Sequence, residues 1–254
     1  MLDGQVGIIT GGASGIGRAS AKAFVAAGAF VVLADVDEPG GREVVDQIGH
    51  DRAVFLRCDV TRASDVAAVV RAAVDGHGRL DFLHNNAGIT TDDLWLDTTS
   101  DDTWDRVMSI NVMGPWLLLR EALGPMRTGG GGAVVNTTSV GAASVVPGRG
   151  AYCVSKAALA MLTRVAAYEN GSHNVRVNAI APGTVDTPMT ATLPHGASTS
   201  SGPPPTGRRG RPSEVAAAAV WLCSDEASYV NGATITVDGG WTTAIAARAA
   251  AAAS

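Results

Sequence analysis

Residues Val6–Gly17, with the sequence VGIITGGASGIG, join a short apolar run to a glycine-rich turn. Val6–Thr10 has the length and composition of a buried strand, and Arg18–Ala27 continues the chain with helical periodicity. A strand, a glycine turn and a helix in this order predict the first unit of a parallel α/β sheet. Glycines also let such a turn approach a pyrophosphate at the N-terminus of the helix.

The alternation of strands and helices continues along most of the chain. Further strands are predicted at Phe30–Ala34, Ala53–Cys58, Leu80–His84, Ala133–Thr137, Val175–Ile180 and Thr234–Val237. Further helices are predicted at Gly41–Ile48, Ser64–Val74, Thr103–Met126, Ala151–Tyr168 and Ser213–Cys223. Right-handed crossovers between parallel strands place helices on both faces of a sheet. The predicted fold class is therefore α/β, a doubly wound Rossmann fold with a seven-stranded parallel sheet.

The domain organisation follows from length and from the absence of a dividing linker. A chain of 254 residues fits one large domain or two small ones, and we expect one domain over residues 1–241. Residues 187–211 are rich in Pro, Gly, Ser and Thr, and we expect them to form a mobile lid beside the substrate. Residues 242–254 are nearly all Ala, which fits either a frayed helix or a disordered tail.

Composition excludes several functional classes. Hydrophobic residues make up 46% of the chain and charged residues 17%, and the net charge is −5. This charge provides no attraction for nucleic acid or for an anionic membrane. The sequence contains no long apolar run and no basic leader, so we expect a cytoplasmic protein. The 3 cysteines and 5 histidines have no ligand spacing, and we expect no metal site.

The glycine turn predicts a dinucleotide site. Gly11, Gly15 and Gly17 follow a strand and open a helix, which is the context that supports pyrophosphate binding. The spacing Gly-x-x-x-Gly-x-Gly differs from the common G-x-G-x-x-G pattern. A merely tight strand-to-helix turn is the alternative interpretation.

Asp35, at the end of the second predicted strand, indicates which dinucleotide is preferred. Its carboxylate can accept hydrogen bonds from both ribose hydroxyls of the adenosine, and it would repel a 2′-phosphate. Neither Ser14 nor Val36 supplies a cation to offset that repulsion. The prediction is NAD rather than NADP. The alternative is that Asp35 only caps the next helix, a role for which Asp37 competes.

Tyr152 and Lys156 are separated by four residues, so a helix places them on one face. The chain holds only three tyrosines and two lysines, which makes this pairing informative. A tyrosine acting as acid and base near neutral pH needs its pKa of about 10 lowered by about three units by nearby positive charge. Ser139 follows a predicted strand and can donate to a substrate oxygen, although Thr137, Thr138 and Ser144 compete for this role.

Together these motifs resemble the short-chain dehydrogenase/reductase family, in its branch of about 250 residues. The likeness covers nearly the whole chain, from TGGASGIG at residues 10–17 to ASYVNGATITVDGG at residues 227–240. It implies that Tyr152 is the general acid/base, that Lys156 binds the nicotinamide ribose, that Ser139 orients the substrate oxygen and that Asn111 holds a relay water. An alternative for Asn111 is a cap at a helix kink beside Gly114-Pro115.

The resemblance also implies the cofactor wall and a subunit arrangement. The expected cofactor residues are Gly11, Ser14, Gly15, Ile16, Gly17, Asp35, Val36, Asp59, Val60, Asn86, Ala87, Gly88, Tyr152, Lys156, Pro182, Gly183, Val185 and Thr187. The substrate side is expected to include Val140, Val146, Trp95, Met189 and Leu193. A homotetramer is expected.

Three functions fit these expectations. The first is an NAD-dependent enzyme that interconverts a small secondary alcohol and a ketone. The second is an NADPH-type reductase of carrier-bound β-ketoacyl groups, against which Asp35 and the acidic composition argue. The third is a non-catalytic dinucleotide-binding sensor or scaffold, against which the complete set of expected catalytic residues argues.

Overall fold

The computed structural model describes residues 1–91, 94–191 and 204–244 of the chain. Within these residues seven parallel strands form one sheet in the order β3-β2-β1-β4-β5-β6-β7. The strands are β1 Val6–Thr10, β2 Phe30–Asp35, β3 Ala53–Arg57, β4 Phe82–Asn85, β5 Gly132–Thr137, β6 Val175–Pro182 and β7 Thr234–Val237. The strand order reverses direction between β1 and β4, and this point opens a crevice above the sheet.

Helices cover both faces of the sheet. They are α1 Gly15–Ala26, α2 Glu38–Ile48, α3 Ala63–His77, α4 Asp101–Met108, α5 Gly114–Thr128, α6 Gly150–Asn170 and α7 Pro212–Cys223. One apolar core packs α1, α2 and α7 against the sheet, and a second packs α3, α5 and α6 against the opposite face. The doubly wound Rossmann fold predicted from the sequence is confirmed.

The predicted helix Thr103–Met126 is interrupted in the structure. A π-helical turn at Ser109–Met113 separates α4 from α5. A Cβ atom on Gly114 would lie 2.8 Å from Cγ2 of Val60, so glycine allows α5 to begin against the loop after β3. Pro115 follows the π-helical turn directly, and its missing N–H removes one donor where the hydrogen-bond pattern changes from the π turn to α5.

The C-terminal part of the predicted lid contacts the segments that follow β6 and β7. Val185 and Gly210 form an isolated parallel bridge, and the amide of Thr206 donates to the carbonyl of Gly239 at 3.3 Å. Residues 192–203 and 245–254 lie outside the described residues. The expectations for the centre of the lid and for most of the Ala-rich tail therefore stay predictions.

No helix in the described part of the chain combines the length and the apolar character needed to cross a membrane. Among the same residues, no three His, Cys, Asp or Glu side chains are grouped closely enough to hold a metal ion.

Candidate active site

A cleft of about 640 Å³ lies at the carboxyl ends of the strands, the edge at which open parallel sheets bind ligands. Most of the residues expected from the sequence line it together. They are Gly11, Ser14, Gly15, Ile16, Asp35, Val36, Asp59, Val60, Asn86, Ala87, Gly88, Ser139, Val140, Val146, Tyr152, Lys156, Pro182, Gly183, Val185, Thr187 and Met189. The glycine turn and the hydroxyl groups of Ser139 and Tyr152 therefore line one continuous cleft.

The glycine turn fits a closely approaching ligand. Gly11 and Gly15 have positive φ values of 64° and 53°, a conformation that favours glycine. A Cβ atom on Gly17 would collide with the carbonyl oxygen of Gly11, and Gly17 does not line the cleft. Gly17 therefore permits close packing of α1 against the turn, while Gly11 and Gly15 open the surface.

The carboxylate of Asp35 is held in place by two backbone amides. Its Oδ2 accepts from the amide of Ala13 at 2.9 Å, and its Oδ1 accepts from the amide of Asp37 at 3.0 Å. Asp37, not Asp35, caps α2 by accepting from the amide of Gly40 at 3.1 Å. The capping role thus belongs to Asp37, and Asp35 lines the cleft.

Asp59 and Val60 line the same end of the cleft as Asp35 and follow β3. The Oδ1 atom of Asp59 accepts from the hydroxyl of Thr61 at 2.7 Å and from its amide at 3.0 Å. These hydrogen bonds stabilise the charged form and hold the pKa of Asp59 below its ordinary value. This end of the cleft therefore carries negative charge.

Tyr152 and Lys156 project from the first turns of α6. The Lys156 ammonium lies 5.7 Å from the centre of the Tyr152 ring and donates to the carbonyl of Thr137 at 2.8 Å. Burial disfavours the charged ammonium and lowers the pKa of Lys156 to about 8. Lys156 is therefore a rigidly held cation beside the tyrosine at neutral pH.

Among the protein's own groups, the net effect on the pKa of Tyr152 is to raise it. Burial raises it, while the side chain of Ser139 and the charge of Arg149 act to lower it. Burial outweighs both, so the protein groups alone keep the hydroxyl protonated. The lowering expected from the sequence is not present in the protein by itself.

Ser139 lies in the segment that follows β5, next to Thr138. It begins the short helical turn Val140–Ala142, and its Oγ accepts from the amide of Gly141 at 3.0 Å. This bond leaves the hydroxyl proton of Ser139 available for another acceptor. Thr137 and Thr138 also line the cleft, whereas Ser144 is not among its lining residues.

Asn111 is fully buried in the π-helical turn and does not line the cleft. Its Oδ1 accepts from the amide of Ile89, and its Nδ2 donates to the carbonyl of Ile89 and to Oγ of Ser155, all at 2.9 Å. The side chain therefore joins three segments around the site. Asn111 lies within the π-helical turn, but its side-chain amide bonds to Ile89 and Ser155 and does not cap a helix.

The substrate end was predicted less completely. Trp95 lies outside the cleft with 66% of its surface exposed, and Leu193 lies outside the described residues. Lining residues that the sequence did not indicate include Ile89, Arg106, Ile110, Pro147, Arg149 and Trp241. Several are neighbours of predicted residues, and Arg149 directly precedes α6, but nothing in the pattern marked Trp241.

Comparisons with known proteins agree with this architecture. A family described as enoyl-(acyl carrier protein) reductase matches residues 11–242. The chain is 41% identical to a 2,5-dichloro-2,5-cyclohexadiene-1,4-diol dehydrogenase of Sphingobium indicum over 95% of this chain and 98% of that protein. It is 42% identical to a cis-4-hydroxycyclohexanecarboxylate dehydrogenase of Sinomonas cyclohexanicum, covering 94% of this chain and 96% of that protein.

A solved structure supports the same grouping. The 3-ketoacyl-(acyl-carrier-protein) reductase of Brucella melitensis, crystallised with NADH, superposes with a TM-score of 0.89 at 33% identity. The match covers 95% of this chain and 100% of that one. The chain belongs to the short-chain dehydrogenase/reductase family.

Proposed function

We propose that this protein is an NAD(H)-dependent oxidoreductase that interconverts a secondary alcohol and a ketone. The observation that carries the proposal is one cleft in which the hydroxyls of Ser139 and Tyr152, with the ammonium of Lys156, adjoin a glycine turn. The named dehydrogenases among its relatives support the reaction class.

The cleft fits a nicotinamide dinucleotide because its turn is a surface that Cβ atoms would fill. Ser14, Gly15 and Ile16 would hold the pyrophosphate, and Asp35 the adenosine ribose. Asp59 and Val60 would flank the adenine, and residues 182–187 the carboxamide. When bound, the cofactor supplies the acceptor or donor of a hydride. The structure with NADH from Brucella melitensis supports this assignment.

The chain's own groups handle the proton. In ketone reduction, the Tyr152 hydroxyl donates its proton to the substrate oxygen as the carbonyl carbon gains a hydride; in alcohol oxidation, the tyrosinate form of Tyr152 accepts the hydroxyl proton as the carbon loses a hydride. Ser139 donates a hydrogen bond to the substrate oxygen, and the Lys156 cation stabilises the tyrosinate. Asn111 secures Ile89 and Ser155 around these groups.

NAD is proposed over NADP because the Asp35 carboxylate would face a 2′-phosphate. The adjoining lining residues Ser14, Val36 and Asp59 include no cation. Arg57 is paired with Asp35 across the β2–β3 ladder but is not among the cleft-lining residues. A negative charge without an adjacent lining cation should cost more than about 1.4 kcal/mol against a phosphate, or tenfold in affinity.

We propose a hydroxylated carbocycle as the substrate class. Val140, Val146 and Met189 give the substrate end an apolar wall beside the two hydroxyls. Both curated relatives are named for six-membered carbon rings that carry hydroxyl groups. A β-ketoacyl thioester is the second candidate, since the matched family and the Brucella enzyme are named for acyl-carrier substrates. The identity to the ring dehydrogenases is higher, at 41–42% against 33%.

The test is a turnover screen that follows absorbance of the reduced nicotinamide. Cyclohexanols, cyclohexanediols and hydroxycyclohexanecarboxylates are offered with NAD and with NADP, and a β-ketoacyl thioester is offered with each reduced cofactor. We expect NAD-linked oxidation of ring alcohols. Turnover confined to the thioester with NADPH would select the second candidate, and NADH binding without any turnover would favour a non-catalytic sensor.

A further inference from the structure

At the carboxyl end of β5, side chains replace the backbone ladder in connecting Thr137 to the β4 segment. The ladder between β4 and β5 ends at the pair Asn85–Asn136. Thr137 still pairs with Ile180 of β6, but side chains make its connections toward β4. These connections lie at the point where the strands separate to form the cleft.

His84 supplies the first of those side-chain connections. It pairs with Val135 on β5, so its side chain and that of Thr137, two residues further on, share one face of the sheet. Nε2 of His84 lies 2.9 Å from Oγ1 of Thr137. His84 is fully buried and does not line the cleft.

The Thr137 hydroxyl has a single proton, which limits the directions of these hydrogen bonds. The hydroxyl of Thr137 donates its single proton to Oδ1 of Asn86 in a long contact of 3.4 Å. In the tautomer that matches this arrangement, His84 donates from Nε2 and Nδ1 is a lone pair, and Nδ1 has no partner among the described residues. Burial lowers the pKa of His84 to about 3, so the imidazole is neutral in this arrangement.

Thr137 links the lysine to the glycine turn. Its carbonyl accepts from Nζ of Lys156, while its hydroxyl contacts Asn86. Nδ2 of Asn86 in turn donates to the carbonyls of Thr10 at 3.1 Å and of Gly11 at 3.2 Å. A continuous series of hydrogen bonds therefore joins the Lys156 ammonium to the first glycine of the turn.

The polar pair is not needed to hold the strands together, since backbone ladders do that. A buried imidazole with an unpaired nitrogen is less favourable for stability than an apolar side chain of similar size. We propose that His84 is a positioning residue that, through Thr137, fixes Lys156 and the glycine turn relative to each other. This inference rests on the proposed function, because it assigns His84 to the geometry of that site.

The experiment compares His84→Leu with His84→Gln in the full-length protein. Gln places an amide donor near the position of Nε2, whereas Leu removes the donor. For His84→Leu we expect NADH binding, measured by fluorescence titration, to weaken at least about fivefold, because the lost hydrogen bond is typically worth about 1 kcal/mol, which corresponds to that fold-change. The melting temperature should stay the same or rise. His84→Gln should restore NADH affinity to within about twofold of the parent.

Thr163→Val is the matched control on the opposite face. Its hydroxyl accepts from Nδ2 of Asn136 at 2.9 Å, so the variant also removes a buried polar contact but lies outside the series. It should lower the melting temperature without weakening NADH binding. Thr137→Val provides a second test if His84→Leu does not fold, and it should weaken NADH binding likewise.

Parental NADH affinity in His84→Leu, or in Thr137→Val where His84→Leu does not fold, would overturn the inference. Equal weakening in Thr163→Val would also overturn it, since the effect would then follow stability alone. A parent protein that binds NADH but turns over no alcohol or ketone would contradict the proposed function instead. The binding measurement keeps the two failures distinct.

Discussion

At the scale of single residues, Asp35 offers a separable test of cofactor choice. Its two oxygens receive amides from Ala13 and Asp37, so Asp35→Ala would disturb the turn as well as remove the charge. Asp35→Asn keeps one acceptor oxygen and removes only the negative charge. We expect the ratio of kcat/KM for NAD over NADP to fall from at least about tenfold to near parity.

Steady-state kinetics of the parent, Asp35→Asn and Asp35→Ala distinguish the contributions of charge and turn. An undiminished preference in Asp35→Asn would show that another group excludes the 2′-phosphate. If only Asp35→Ala loses activity together with stability, the carboxylate serves the turn and not the cofactor choice.

Lys156 makes stability depend on pH in a definite direction. Its pKa falls from 10.5 to about 8 on folding, so between these values the unfolded chain binds a proton that the folded chain lacks. Stability from this residue therefore increases as pH rises through that window. Burial raises the pKa of the Cys58 and Cys223 thiols to about 12, and their contribution to stability therefore falls as the pH rises. Both thiols are also present in a Lys156 variant, so their effect cancels in a comparison of the two proteins.

Urea unfolding of the parent and of Lys156→Met between about pH 7 and about pH 10 isolates this contribution. The parent should gain stability relative to the variant as the pH increases. A constant difference would mean that the lysine keeps its ordinary pKa in the folded protein.

At the scale of secondary-structure elements, the π-helical turn Ser109–Met113 carries a specific stability prediction. Asn111→Ala removes the three hydrogen bonds of this fully buried amide and leaves the amide and carbonyl of Ile89 without these partners, while Ser155 keeps its bond to the carbonyl of Tyr152 at 2.7 Å. We expect a loss of about 2–4 kcal/mol in the free energy of unfolding, measured with urea. Ser155→Ala removes one of these bonds and should lose clearly less. A loss below about 0.5 kcal/mol in Asn111→Ala would show that its bonds are not important.

The π-helical turn is also a feature that the sequence did not predict. Apolar runs and periodicity predicted the strands and most helices to within a few residues, because each buried face imposes its own repeat. Periodicity did not indicate the π-helical turn, since five residues are too few to establish a repeat different from that of the flanking α-helices. The start of α1 at Gly15 was predicted three residues too late, at Arg18, because Gly15 and Gly17 suggested a turn.

Some residues of the candidate site could likewise be predicted from the sequence, and others could not. Residues fixed by short motifs, such as Tyr152 with Lys156, line one cleft. Trp241 and Arg106 reach the cleft from segments far from those motifs. Their contribution depends on how distant segments pack, which one-dimensional spacing does not encode.

At the scale of the whole molecule, helix α6 exposes a stripe of large apolar side chains. Val154, Met161, Val165 and Tyr168 repeat at helical spacing and are each at least 44% exposed. Exposed Met113 and Trp116 lie in the neighbouring π turn and α5. Such apolar surface is typical of a subunit interface, and we expect a homotetramer.

Light scattering coupled to gel filtration should give about four times the chain mass of 25.7 kDa. Val165→Glu on the α6 stripe should yield smaller species, whereas Val54→Lys on edge strand β3 should not. A monomer of the parent across micromolar concentrations would contradict the expectation.

The central claim is that the Tyr152 hydroxyl transfers the proton in an NAD(H)-linked reaction. Its most direct test compares turnover and NADH affinity in the parent and in Tyr152→Phe, with the best substrate from the alcohol screen. We expect turnover below about 1% of the parent and NADH affinity within about threefold, because the hydroxyl acts on substrate while Lys156 remains in place. Turnover clearly above that level would show that another group supplies the proton and would contradict the assignment.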